Sequence, residues 1–187
     1  MNFRLLSALV LLPSFAHAHP GHGGGDFSGG FVHPLLGLDH VLAMVATGLW
    51  AAQLGGAARW RLPVAFATAM GLSVALGAAG FTLAWTEACI AISVLFLGFV
   101  LAAKVRAIPA AAVALVAGGA FFHGLAHASE MPAAGGMPSA AGLLLSSALL
   151  QIASLSAGTA LISAGRSRSL RWAGAAICAS ALCLAAA

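Results

Sequence analysis

The chain has 187 residues, 61% of them hydrophobic and only 6% charged, with a net charge of +4. A soluble domain carries about 25% charged residues, so this composition excludes a water-covered globular fold and predicts a single membrane domain. The basic residues fall in short loops between apolar segments rather than on one patch, which gives no footprint for nucleic acid.

The first residues read as an address. Met1-Asn2-Phe3-Arg4 is a positive start, Leu5 to Phe15 a short apolar core, and Ala16-His17-Ala18 an A-x-A cleavage site. That core is too short for a bilayer, which takes about 20 residues. The expectation is a cleaved signal peptide over 1–18, then a His/Gly-rich tail over 19–31, then the membrane domain over 32–187. The tail carries His19 and His22 ahead of Gly23-Gly24-Gly25. It reads as flexible, and because His-rich tracts bind metal, both histidines are accessory candidates.

Six apolar segments follow, near Val32–Gln53, Leu62–Leu83, Glu87–Ala103, Ile108–Ala128, Ala140–Ala164 and Leu170–Ala187. They predict an all-α integral membrane protein with six transmembrane helices after the signal peptide. The third and sixth are short for a full span. The excess of Ala, Gly and Leu suits helices packed closely in lipid.

Charge orients these segments. With the mature N-terminus outside, Arg59, Arg61, Lys104, Arg106, Arg166, Arg168 and Arg171 all fall in inner loops. This is a strong positive-inside pattern; signal sequence, pI and composition together lead us to expect a bacterial inner membrane. Trp50, Trp60, Trp85 and Trp172 fall near segment ends, as interfacial anchors do. Asp26, Asp39, Glu87 and Glu130 fall on the outer side. Pro132, Gly135, Gly136 and Pro138 end the fourth segment and turn the chain. Cys89, Cys178 and Cys183 lie in apolar segments and read as small buried hydrophobes rather than a disulfide framework. Nothing in the sequence decides whether the chain forms a homo-oligomer.

The chemistry lies in the histidines. Ionisable groups inside membrane-length apolar segments are costly and read as functional. His33 and His40 bracket an acid in His33-Pro34-Leu35-Leu36-Gly37-Leu38-Asp39-His40. On a straight helix with Pro34 in its first turn, His33 and His40 share a face about 10 Å apart along the axis. One helix therefore cannot close a small coordination sphere with Asp39 and both histidines. Either the site spans two helices, or His33 stands above a deeper site. Met44, one turn below His40, reads first as core packing and second as an accessory ligand. In the fourth segment His123, His127 and Glu130 follow i, i+4, i+7 spacing and form one stripe. It ends at the outer side, level with His33 to His40, where the helix C-terminus favours a cation. Glu87, opening the third segment, either complements a helix dipole or serves the site. Imidazole and carboxylate without thiolate select a divalent transition metal: nickel, cobalt, zinc, manganese or iron.

His33-Pro34-x-x-Gly37-x-Asp39-His40 resembles the signature of the HupE/UreJ family of hydrogenase- and urease-linked nickel permeases. Phe122-His123-Gly124-Leu125-Ala126-His127 followed by Glu130 is similar to that family's second motif, with Ala128 where Gly commonly stands. The resemblance covers essentially the whole chain. The related nickel–cobalt transporters have one residue fewer between the first His and the Asp-His pair. The resemblance implies uptake of Ni2+, sometimes Co2+, across the inner membrane, with a link to hydrogenase or urease maturation. It makes His33, Asp39, His40, His123, His127 and Glu130 the metal-handling residues; Zn2+ would fit the same ligands.

Two other functions compete. An intramembrane zinc hydrolase also holds metal with histidines and an acid from several helices. His123 and His127 have zincin-like spacing, but Gly124 stands where His-Glu-x-x-His has its glutamate. A metal sensor or donor protein would bind without flux. No Walker-type phosphate loop is present, so the chain carries no machinery for ATP hydrolysis.

Overall fold

The structure, a computed structural model, describes residues 26–131 and 135–186. Among them the chain forms helices α1 (Phe27–Leu36), α2 (Leu38–Leu54), α3 (Ala58–Ala78), α4 (Thr86–Ala102), α5 (Pro109–Glu130), α6 (Gly136–Ser163) and α7 (Arg168–Ala185). The signal-like segment and His17, His19 and His22 lie outside the described residues.

The first expected segment is not one helix. It is α1 and α2, bent by 85° at Gly37. Gly37 has extended backbone (φ −89°, ψ 116°) and ends one helix as it begins the next. Pro34 sits inside α1 rather than at its start. Its missing N–H leaves the Gly30 carbonyl without a helical partner one turn before the bend. Residues 27–31, read from sequence as tail, belong to α1. That helix starts at Asp26, whose carboxylate accepts from the Gly29 N–H at 2.8 Å. This bond, with one from the Ser28 hydroxyl, holds the Asp26 carboxyl below the usual carboxylate range.

Helices α3, α5 and α6 are long and apolar enough to cross a membrane, and the bent pair α1–α2 makes a fourth. Helix α4 is apolar but has 17 residues; α7 opens with Arg168 and Arg171. The chain is therefore a helical membrane protein in which three or four helices meet the requirement for a span, against the six expected.

Close approach decides the packing. Helix α3 runs along α5, α2 along α6, α4 along α7, and α1 across the start of α6. Where α1 meets α6, a Cβ on Gly30 would strike the Ser139 carbonyl, and one on Gly142 the Phe27 carbonyl. Small residues let backbones touch in this way where lipid offers no hydrophobic drive for association.

Charge separates to two ends. Arg171 Nε donates to the Ala102 carbonyl at 3.1 Å and Gln53 Nε2 to Leu101 at 3.2 Å. These bonds gather the ends of α2 and α4 and the start of α7. The connections and helix starts at this end hold Arg59, Arg61, Lys104, Arg106, Arg166 and Arg168, whereas Asp26, Asp39, Glu87 and Glu130 belong to the opposite helix ends.

Two expectations need correction. Trp60, Trp85 and Trp172 are exposed, but Trp50 is only 1% exposed. Its indole N–H reaches the Val105 carbonyl at 3.4 Å, so it is a core residue with its polar atom satisfied rather than an interfacial anchor. The cysteines are not fully buried: Cys89 and Cys178 are half-buried and Cys183 exposed. Cys178 faces α4, where its thiol donates to the Leu95 carbonyl at 3.4 Å.

Gly142→Val should drive α1 off α6 and cost about 1–3 kcal/mol, the usual penalty for overpacking. Thermal unfolding in detergent, followed by circular dichroism, measures it.

Candidate metal centre

The bend at Gly37 makes the site. It places His33, in the last turn of α1, and His40, in the first turn of α2, against the same residue of α5. The His127 ring lies 5.1 Å from that of His33 and 4.1 Å from that of His40. His40 also meets His123, at 4.8 Å. The separation expected along one straight helix does not apply, because the helix is broken. The backbones of α2 and α5 are not among the closely packed pairs, so imidazoles fill the space between them.

The cluster has two levels. At the mouth, His33 Nε2 lies 3.1 Å from Glu130 Oε2. With His127 they offer three ligand atoms within 4.8 Å of one another. Metal–nitrogen bonds of about 2.0–2.1 Å need pairs slightly closer than this, within reach of small side-chain rotations. His33 is half-buried and Glu130 exposed, so this level is open. Below it, His40, His123 and His127 are buried.

The partners of these rings fix which nitrogens are free. A carboxylate only accepts, so Asp39 Oδ1, 2.8 Å from His40 Nδ1, takes that proton and leaves Nε2 as the lone pair. Asp39 thus positions His40, instead of offering itself first to an ion; such carboxylate–imidazole pairs orient metal ligands. It also stands in the first turn of α2, where an acid complements the helix dipole. Ser93 donates its hydroxyl proton to the Ile90 carbonyl at 2.7 Å. Its oxygen is then an acceptor for His123 Nε2–H at 3.2 Å, which leaves Nδ1 as the lone pair. His40 Nε2, His123 Nδ1 and His127 Nδ1 are all buried and lack a hydrogen-bond partner. A buried unpaired polar atom costs about 1–3 kcal/mol. The His40 ring stands beside those of His123 and His127, so these nitrogens are candidate donors to a divalent transition metal; among the described residues it is His33, His127 and Glu130 that bring ligand atoms within 4.8 Å of one another.

Among the remaining candidates, Met44 is buried in the apolar core. Glu87 is exposed in the first turn of α4, outside the His33–His127–Glu130 group. Sequence reading missed one contributor and the role of another. Gly37 stands in the first motif, but only the proline three residues before it hints at a break there. Ser93 gave no signal, since a serine bonded to its own helix is common in apolar helices. Gly124, between the two α5 histidines, admits α3: a Cβ there would strike the Ser73 hydroxyl.

The chain matches the model of the family described as HupE / UreJ protein over residues 7–184. It belongs to the HupE/UreJ family. It is 46% identical over 127 residues to the Protein HupE of Rhizobium leguminosarum bv. viciae, a match covering 67% of this chain. The match spans 65% of that relative's own length. No solved structure matches the chain. The family's two histidine motifs thus fall, in this fold, on three helix ends that meet.

Asp39→Asn and Ser93→Ala should each leave the fold intact and weaken metal binding about 10–100-fold, the usual effect of losing a partner that orients a ligand. Equilibrium dialysis of nickel against the detergent-purified protein measures both.

Proposed function

We propose that the protein is an uptake permease for a transition-metal cation, nickel first and cobalt second, in a bacterial inner membrane. The observation that carries this reading is the trio of buried, unpartnered imidazole nitrogens on His40, His123 and His127. They lie beneath an open mouth formed by His33 and Glu130. On this reading the mouth faces the periplasm, and the basic end faces the cytoplasm by the positive-inside rule. Family membership supports transport linked to hydrogenase or urease maturation. Zn2+ would bind the same ligands as a competitor.

The chain's residues perform the steps in order. Glu130 and His33 meet the ion and replace part of its water. His127 belongs to both levels and hands the ion inward to His40 and His123. Asp39 and Ser93 keep the lone pairs of those two rings aimed at it. An inside-negative potential draws a divalent ion inward with about 4.6 kcal/mol per 100 mV, at 2.3 per charge. That drive is sufficient without ATP. The hydrolase reading requires a carboxylate free to activate water. Here Asp39 is held by His40 and Glu130 by His33, which favours a site that passes ions over one that turns over substrate.

Radioactive nickel flux into proteoliposomes tests the reading: His40→Ala should abolish it while the protein still purifies as folded material. Wild-type flux in that variant, or a stoichiometric zinc ion retained through chelation, would count against a permease.

A further inference from the structure

We infer that the ion's path continues to an uncharged station at mid-membrane, formed by the Gln151 side-chain carbonyl with the Thr47 and Ser147 hydroxyls and the Met70 sulfur. The inference rests on the permease reading above. Gln151 lies near the middle of the 28-residue α6 and is 0% exposed. Thr47 and Ser147 are equally enclosed, and Met70 on α3 is also buried. Gly48 brings α2 against this stretch of α6, since a Cβ there would strike the Ser154 hydroxyl and the Gln151 main-chain carbonyl. Ser147 Oγ lies 4.0 Å from Met70 Sδ, which brings α3 to the same place.

The hydrogen bonds of these groups stay within their own helices, as is common for Ser and Thr in apolar helices, and do not cross the interface between α2 and α6. Polar side chains that hold membrane helices together bond across the interface. Here each donates within its own helix: Thr47 to Ala43 at 2.8 Å, Ser147 to Leu143 at 2.8 Å, Ser154 to Gln151 at 3.0 Å, and Gln151 Nε2 to Ser147 at 3.3 Å. With their protons committed, the hydroxyls have lone pairs to offer. Gln151 Oε1 is buried with no hydrogen-bond partner. Apolar residues would hold α2 to α6 without stranding a carbonyl oxygen in the protein interior. An unpartnered amide oxygen beside hydroxyl lone pairs suits a cation.

Position and strength agree with passage. Thr47 follows His40 by seven residues, about 10 Å farther along α2. Beyond it Gln53, whose Oε1 is likewise unpartnered, sits at the basic end of the same helix. Amide and hydroxyl oxygens and a thioether bind a divalent ion weakly, having no formal charge. Conduction requires sites firm enough to admit the ion and weak enough to release it. Three imidazoles capture; a neutral station lets go.

The test uses the full chain, with ⁶³Ni binding in detergent and ⁶³Ni flux in proteoliposomes. Gln151→Leu should bind nickel at the histidines like the wild type while flux falls about tenfold or more, a barrier change of at least 1.4 kcal/mol. Gln151→Glu should trap the ion, raising bound nickel by one equivalent per chain and slowing release. Wild-type flux in Gln151→Leu overturns the inference. If that variant does not fold, Gln151→Glu decides, and unchanged stoichiometry there overturns it too. An absence of flux in the wild type defeats the permease reading instead, while the added equivalent in Gln151→Glu still reports the station.

Discussion

The break at Gly37 is the constraint on which the site depends. A continuous helix would hold His33 and His40 two turns apart, and only one of them could reach His127. Bending by 85° folds both onto the same ring. Such a break is costly in a membrane, where freed backbone groups lack water. The structure meets this cost in two ways. The Gly37 carbonyl starts α2 by accepting from Val41 at 3.0 Å, and α6 braces α1 through the contacts at Gly30 and Gly142. Helix α6 therefore shapes a metal centre to which it contributes no ligand.

The same helix supports the chemistry farther down. Its start carries α1, its middle meets α2 at Gly48, and its buried face holds Ser147, Gln151 and Ser154. Helix α5, by contrast, carries two of the four imidazoles and packs chiefly against α3. The histidine cluster and the buried polar stretch of α6 thus draw on different helices, with α2 common to both.

Much of the helical layout was legible in the sequence because apolarity marks where lipid or protein covers the chain. The segments expected at Glu87–Ala103 and Ile108–Ala128 correspond to α4 and α5 within two residues at each end. The segment expected at Leu62–Leu83 overshoots α3, which stops near Ala78 because Gly80, at φ 93°, turns the chain although Phe81 and Leu83 remain apolar. The bend in the first segment does not alter hydropathy at all; only Pro34 and Gly37 betray it. The site divides similarly. That the two histidine motifs lie at the same ends of their helices followed from charge and spacing; that they form an open and a buried level did not. Which nitrogen of each ring is free did not, because it depends on a hydroxyl from α4 thirty residues away in sequence. Trp50 misled for a related reason: its place near a helix end suggested the interface, but the Val105 carbonyl made burial affordable.

The angle between α1 and α2 also sets where the site opens. If α2 stands across the bilayer, a helix turned 85° from it runs along the membrane plane. Phe27, Val32, Leu35 and Leu36 are exposed along α1, as on helices that rest among lipid headgroups with their apolar side in the acyl boundary. His33 is then held at headgroup depth, beside lipid phosphates rather than bulk water. The composition of that leaflet becomes part of the environment of His33, and α1 is the element through which lipid packing would be felt.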